Sequence, residues 1–241
     1  MKPGFRFLAT LVLVVLPGCG DSEPTNPNLI PNYWSPLWLA GDDIVAVRYV
    51  NDDLYVADRT SGVTVQEPAF SGWWRHLGLS YPDLIDSSPK SGITSLAVRG
   101  NRLVAGMSLP SQDPRPRLAY RDAGTGWRAA SLDPGQAVTA LIASEAGHVV
   151  GLGDGKPFRS GDGGETWIHA LDASMDLEWG WFSESDGVLY CGGQASTRVP
   201  LLYRSLDGGK SWESVLLGHR LGLNEGIVHW MTSATGDPST L

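Results

Sequence analysis

Short apolar runs alternate with polar turns along most of the chain. Runs such as VAVRYV, TSLAVR and TALIAS are each followed by a turn rich in Gly, Asp, Asn or Ser, and a second apolar run begins directly after the turn. Apolar stretches of this length between such turns are typical of antiparallel strands. No long stretch of the sequence has the periodicity of a helix. The pattern therefore predicts an all-β body.

The strand pattern also repeats at a nearly constant interval. We align Val47, Leu96, Leu141, Trp181 and Trp230 as equivalent positions in the first strand of five successive units, which gives spacings of 49, 45, 40 and 49 residues. Each of the first four units continues with three further strand-like runs. A period of about 40 to 50 residues with four short strands is that of a β-propeller blade. We predict a β-propeller with four complete blades and the start of a fifth at residues 226–236.

Closure of this propeller has two interpretations. A propeller closes when its last blade pairs with its first, and the chain stops at Leu241, where the second strand of the fifth unit is expected. We favour the interpretation that the sequence is part of a longer protein, because an open edge strand promotes aggregation. Alternatively, the segment PNYWSPLWLAGDD supplies the missing strands of a five-bladed ring.

Two nine-residue segments are nearly identical, RSGDGGETW at 159–167 and RSLDGGKSW at 204–212. Their shared pattern SxDxGx[ST]W resembles the Asp-box, or BNR repeat, of sialidase-like, sortilin-like and photosystem II assembly factor-like propellers. We call the two segments the boxes. A degraded copy, RDAGTGW at 121–127, keeps the closing tryptophan. The box residues are Ser160, Asp162, Gly164, Thr166 and Trp167, and Ser205, Asp207, Gly209, Ser211 and Trp212.

The chemistry of the box residues predicts a structural role. An aspartate at this place can accept backbone N–H bonds across a turn between the third and fourth strands, and glycines tolerate positive φ. Each tryptophan is expected to point inward between neighbouring sheets. Calcium is the alternative for acidic residues among glycines, but neither box has the ligand spacing of an EF-hand or a β-roll. We expect no metal and no cofactor.

The N-terminus has the pattern of an export signal. Lys2 and Arg6 precede an apolar run over 7–16, which is shorter than the roughly 20 residues needed to span a bilayer. The following Leu-Pro-Gly-Cys resembles a bacterial lipobox, which implies lipidation of Cys19 and removal of a signal peptide at 1–18. An ordinary secretory signal is the alternative. Residues 19–32 read as a flexible tether, and the propeller occupies 33–241.

Charge and cysteine content restrict the partners. Without residues 1–18 the chain has 16 basic and 26 acidic residues, so its net charge is 16 − 26 = −10. An acidic body disfavours nucleic acid and anionic lipid, so membrane attachment is expected through the lipid anchor alone. The expected location is the bacterial cell envelope, at the outer membrane or the cell surface. Cys191 is then the one remaining cysteine, and we expect a small buried thiol.

Binding residues are expected on the loops of one face. The resemblance implies that loops between blades and loops between second and third strands share a face over the central channel, and such loops carry function on rigid scaffolds. The candidates are Asp172 and Asp176 in LDASMDLE, Arg198 in GGQASTRVP and Arg220 in GHRLGLNEG. We predict a non-catalytic binding module for a protein or a glycan.

A glycoside hydrolase is the alternative function. Sialidases use clustered arginines and carry an Arg-Ile-Pro motif, but Arg198, Val199 and Pro200 stand just before the last box and favour a loop that leads into a third strand. Three further arginines follow an aromatic residue in successive blades, which favours a structural charge; they are Arg121, Arg159 and Arg204. Asp172 and Asp176 could act as paired carboxylates if they lie roughly 5 to 10 Å apart.

Overall fold

The fold was derived from a computed structural model of the chain. The structure describes residues 43–67, 74–80, 91–131, 137–170, 175 and 177–217. The signal peptide, the tether with Cys19, and the fifth unit at 226–236 lie outside the described residues. The described part of the chain contains no helix that is long and apolar enough to cross a membrane.

Within the described residues, sixteen strands form four separate antiparallel sheets, and each sheet contains four strands in chain order. Blade 1 consists of β1 (Ile44–Val50), β2 (Asp53–Asp58), β3 (Gly62–Gln66) and β4 (Arg75–Gly78). Blade 2 consists of β5 (Gly92–Arg99), β6 (Arg102–Ser108), β7 (Leu118–Arg121) and β8 (Arg128–Ala129). Blade 3 consists of β9 (Val138–Ala143), β10 (Val149–Gly153), β11 (Lys156–Ser160) and β12 (Ile168–His169). Blade 4 consists of β13 (Trp179–Ser185), β14 (Val188–Gln194), β15 (Pro200–Ser205) and β16 (Glu213–Leu217). The fold is the predicted all-β propeller with four-stranded blades.

Consecutive blades stack face to face through apolar side chains. The described part of the chain contains three buried clusters, and each includes residues of two neighbouring blades. The first cluster includes Val65 of blade 1 and Leu96 of blade 2. The second cluster includes Val104 of blade 2 and Phe158 of blade 3. Cys191 is fully buried in the third, as predicted, and burial raises the pKa of its thiol. The core of this protein therefore lies between blades rather than within one.

One assumed equivalence in the repeat is wrong. Leu96 pairs with Ala105, the fourth residue of β6, and in blade 4 the fourth residue of β14 pairs with Phe182. The position equivalent to Leu96 is therefore Phe182 rather than Trp181. Because side chains alternate between the two faces of a strand, this one-residue slip assigns the wrong aromatic ring to the interface with blade 3. Phe182 packs there, 5.8 Å from Trp212 between ring centroids.

Candidate binding face

Turns leave each blade on two opposite sides. In a four-stranded meander, the turn between the second and third strands emerges on one side, and the other two turns emerge on the opposite side. We call the side of the second-to-third turns the loop face; its described turns are residues 59–61, 109–117, 154–155 and 195–199. The opposite side, which carries the two boxes, we call the box face.

The box of blade 3 is a closed network of hydrogen bonds. Ser160 Oγ donates to Asp162 Oδ1 at 2.7 Å and accepts from the Gly164 N–H at 2.7 Å. Asp162 Oδ1 also accepts from the backbone N–H groups of Glu165 and Thr166, both at 3.0 Å. The Thr166 hydroxyl donates to the other carboxylate oxygen. One carboxylate thus organises the whole turn between β11 and β12.

The box of blade 4 repeats this network. Ser205 Oγ donates to Asp207 Oδ1 at 2.8 Å, and Ser211 donates to Asp207 through its backbone N–H at 3.0 Å and its hydroxyl at 2.6 Å. Partial burial alone would raise the pKa of both box aspartates. Hydrogen bonds from the neighbouring hydroxyls and backbone N–H groups outweigh that effect, and the pKa of Asp162 and of Asp207 is lowered to about 2.

Each box also rests on the second strand of the preceding blade. A Cβ added at Gly164 would lie 2.5 Å from Val104 Cγ2, and one added at Gly209 would lie 2.9 Å from Val150 Cγ2. Both glycines have positive φ, 102° and 85°. The spacing of the motif does not reveal this contact, because the two partners lie about sixty residues apart in the sequence. The glycines are therefore required by the interface as well as by the turn.

The closing tryptophans lie in the same interfaces. Trp167 is 5% exposed, belongs to the cluster between blades 2 and 3, and donates from Nε1 to the carbonyl of Gly164 at 2.8 Å. Its ring meets Phe158 edge to face at 5.1 Å between centroids. Trp212 packs against the cluster between blades 3 and 4 but is only partly buried. Its Nε1 is buried and has no hydrogen-bond partner within the described residues.

The three recurring arginines occupy the box-face end of their third strands, and each is engaged locally. Arg121 donates to the carbonyl of Leu77. Arg159 is 8% exposed and places Nη2 3.1 Å from His148 Nδ1. Arg204 forms a 2.5 Å ion pair with Glu213 on the neighbouring strand. These contacts belong to three different interfaces and turns, so the arginines do not converge on one point.

The loop of blade 2 on the loop face, residues 109–117, is held rigidly. Asp113 and Arg115 form an ion pair with a shortest distance of 2.5 Å, and hydrogen bonds from Arg115 lower the pKa of Asp113. Arg117 is only 7% exposed and donates from Nη2 to the carbonyl of Pro110 at 3.1 Å. At the tip, Ser111 and Gln112 are exposed. The loop therefore presents polar side chains on a fixed backbone.

The loop of blade 4, residues 195–199, presents Arg198 at its tip. Arg198 has a φ of 65°, its N–H donates to Ala195 O at 2.8 Å, and its carbonyl accepts from Gln194 Nε2 at 3.1 Å. The side chain is exposed. Pro200 begins β15, so the Arg-Val-Pro segment is the predicted loop that leads into a third strand. Of the four candidate binding residues, only Arg198 is described; Asp172, Asp176 and Arg220 lie outside the described residues.

A buried carboxylate on the loop face was not predicted. Asp58 is 1% exposed and accepts from the backbone N–H groups of Thr60 at 3.0 Å and Ser61 at 2.7 Å. In the same turn the carbonyl of Arg59 accepts from the N–H of Ile93, the second residue of β5 in blade 2, at 2.8 Å. The run DRTSG carries the signal of an Asx turn. This turn joins blades 1 and 2 on the side opposite to the boxes.

Within the described ranges, no three His, Cys, Asp or Glu side chains are placed to hold a metal ion.

Comparison with known proteins gives structural neighbours but no family. No protein-family model matches the sequence, and a search of curated proteins gives no match. Among solved structures, the chain is similar to an auxiliary nutrient binding protein from Bacteroides thetaiotaomicron (10% identity, TM-score 0.52, covering 73% of this chain and 42% of that chain). It is also similar to an ancestral GH74 enzyme (16% identity, TM-score 0.51, covering 73% of this chain and 26% of that chain). A third similar structure is Trypanosoma rangeli sialidase (18% identity, TM-score 0.48, covering 74% of this chain and 39% of that chain). The chain spans less than half the length of each. At these identities the similarity to the nutrient binding protein and to the GH74 enzyme shows the propeller fold alone.

Proposed function

We propose that the chain is an Asp-box propeller that binds a protein or an extracellular glycan through its loop face and performs no chemistry of its own. The observation that carries this proposal is the pair of unequal loops on that face. The loop at 109–117 and the loop at 195–199 stand on either side of blade 3, whose second-to-third turn is only Asp154–Gly155. We propose that an extended ligand contacts the exposed tips of both longer loops.

The construction of the two loops supports binding. The ion pair and the buried arginine in 109–117 fix the backbone before any ligand arrives, which reduces the entropy lost on association. The exposed tip residues Gln112 and Arg198 can donate hydrogen bonds to a hydroxyl, a carbonyl or a carboxylate. The fold is compatible with both binding proteins and enzymes, so the proposal rests on these loops and not on the fold.

We further propose that Cys19 is the lipidated N-terminus of the mature protein and that the propeller is held at the bacterial cell envelope. The lipobox resemblance of residues 16–19 supports this location. A tether at 19–32 would leave the loop face free to meet an external partner.

A glycan array and a hydrolysis assay on the same glycans test the proposal together. The array compares the parent with Arg198→Ala and with Lys210→Ala, which removes an exposed cation from the box face instead. We expect retention of at least one glycan without release of sugar, weaker retention by Arg198→Ala, and parental retention by Lys210→Ala. Turnover of the retained glycan would instead establish a glycoside hydrolase. Equal retention by both variants would move the binding site away from Arg198.

A further inference from the structure

A pocket of about 140 Å³ opens on the box face between blades 1 and 2. Tyr55, Leu77 and Leu103 line it and are between 4% and 7% exposed, so they form its floor. Polar side chains that are more exposed form the rim of the pocket: Asp53, Glu67, Arg75, Asn101, Arg121 and Asp122. An apolar floor with a polar rim is the usual composition of a small-ligand site.

The pocket lies where the degraded box of blade 2 is too short. Eight positions separate Arg159 from Trp167 in the box of blade 3, since 167 − 159 = 8, but only six separate Arg121 from Trp127, since 127 − 121 = 6. The shorter turn bonds differently. Trp127 Nε1 donates to Leu77 of the preceding blade at 2.8 Å, whereas the box tryptophan of blade 3 bonds within its own turn.

The interface between blades 2 and 3, where the box has full length, shows which residues of the preceding blade a box covers. In blade 3, Gly163 covers Arg102 and Gly164 covers Val104, the first and third residues of β6. The corresponding first and third residues of β2 are Asp53 and Tyr55. Both line the pocket. The missing two residues of the turn thus uncover a polar and an aromatic side chain that the equivalent blades keep covered.

The charges around the pocket balance. Glu67 and Arg75 form one ion pair at 2.5 Å, and Asp122 forms another with Arg102 at 2.6 Å. Two charged groups of opposite sign remain on the rim. Within the described residues, the Asp53 carboxylate accepts only from the Tyr55 hydroxyl at 3.3 Å, and Arg121 donates only to a backbone carbonyl.

We propose that this pocket binds one uncharged pyranose ring. The size agrees, because a cavity of about 150 Å³ holds one six-membered ring, and the opening to the box face leaves room for hydroxyl groups. A sugar hydroxyl both donates and accepts, so it can donate to Asp53 and accept from Arg121 on the same ring. The aromatic floor at Tyr55 offers an apolar surface to the C–H groups. Because Asp53 and Arg121 carry opposite charges on the same rim, a carboxylated sugar attracted by Arg121 is also repelled by Asp53, and an amino sugar attracted by Asp53 is also repelled by Arg121, so neither charge is favoured over a neutral ring.

Saturation-transfer NMR and calorimetry on the full chain test this site. The probes are glucose, galactose and mannose, with glucuronate and glucosamine as charged comparators. Asp53→Asn keeps the size of the side chain and removes its charge, and we expect it to weaken binding about tenfold or more, as for loss of a charge-assisted hydrogen bond. The matched control is Glu145→Gln, which neutralises an acid in the first-to-second turn of blade 3.

A second variant fills the pocket by replacing RDAGTGW at 121–127 with RSGDGGETW from blade 3. Its melting temperature reports whether the graft folds, and a folded graft should lose sugar binding. A polysaccharide arm with the same sugar at its chain ends distinguishes a free monosaccharide from a terminal residue. Saturable one-to-one binding of a neutral hexose that is lost in Asp53→Asn and kept in Glu145→Gln supports the proposal. Binding that survives in both pocket variants, preference for a charged sugar, or no binding of the three hexoses overturns it. Binding at the loop face is identified separately, because Arg198→Ala weakens it and the pocket variants do not change that face.

Discussion

Replacing each box tryptophan by phenylalanine should destabilise the protein very unequally. Trp167 is 5% exposed and donates a 2.8 Å hydrogen bond from its indole N–H to the carbonyl of Gly164. Trp212 is partly buried, and its indole nitrogen has no partner within the described ranges. The two side chains occupy the same motif position in adjacent blades. They therefore form a matched pair in which only the Trp167 variant loses a hydrogen bond.

The magnitudes follow from these contacts. Trp167→Phe loses a net hydrogen bond of about 1 kcal/mol and leaves a buried carbonyl without its donor. The smaller ring also gives up buried apolar surface worth roughly 1 kcal/mol. The sum is about 2 to 3 kcal/mol in the free energy of unfolding. Trp212→Phe loses no hydrogen bond and removes a buried, unpaired N–H group, so we expect a loss of about 1 kcal/mol or less.

Urea unfolding followed by far-ultraviolet circular dichroism measures both losses, because the backbone signal does not depend on tryptophan fluorescence. The slope of the transition should stay unchanged, so the shift in midpoint reports stability. Trp167→Ala serves as the upper reference at about 3 to 5 kcal/mol. Equal losses for the two phenylalanine variants, or a larger loss at Trp212, would show that the hydrogen bond does not stabilise the interface.

Three further results are expected. Asp162 and Asp207 have a folded-state pKa of about 2, below that of the unfolded chain. The stability that they contribute is therefore complete above about pH 5 and is lost as the pH falls from 4 towards 2. The melting temperature should fall over this range, and it should fall less steeply in the variant with both aspartates replaced by Asn. Gly164→Ala should cost about 2 kcal/mol or more in urea unfolding because its Cβ meets the preceding blade, whereas Gly161→Ala, with open space at its Cβ, should cost less than about 1 kcal/mol. Cys19→Ala should abolish incorporation of labelled palmitate, and labelling equal to the parent would rule out the lipobox.

The strands and turns were predictable because their signals are local. Alternation of apolar residues over a few positions, followed by Gly, Asp or Asn, is sufficient to identify a strand and its turn. The burial of Cys191 follows from the same pattern. Equivalence between blades was predicted less well, since Trp181 and Phe182 are both aromatic and only their pairing with Gly192 and Cys191 decides which one faces blade 3.

Contacts between blades were beyond the reach of sequence patterns. The role of Gly164 against Val104 depends on two positions in different repeats, and nothing in either segment alone indicates the partner. The same limit applies to the pocket. The two-residue shortening at 121–127 is visible in the sequence, but its result depends on which residues of blade 1 the missing glycines would have covered. Asp53 and Tyr55 have no motif of their own.

The seating of each box on the preceding blade makes the repeats interchangeable modules. Val104 receives Gly164, and Val150 receives Gly209, so the receiving residue is the same at two successive junctions. If the unit that carries blade 3 were deleted or duplicated, the new junction would again place a box glycine on a valine. A propeller of this kind can gain or lose a whole blade without a change in the surfaces that meet. The junction between blades 1 and 2 differs, because its shortened turn is not repeated at another junction of the described chain.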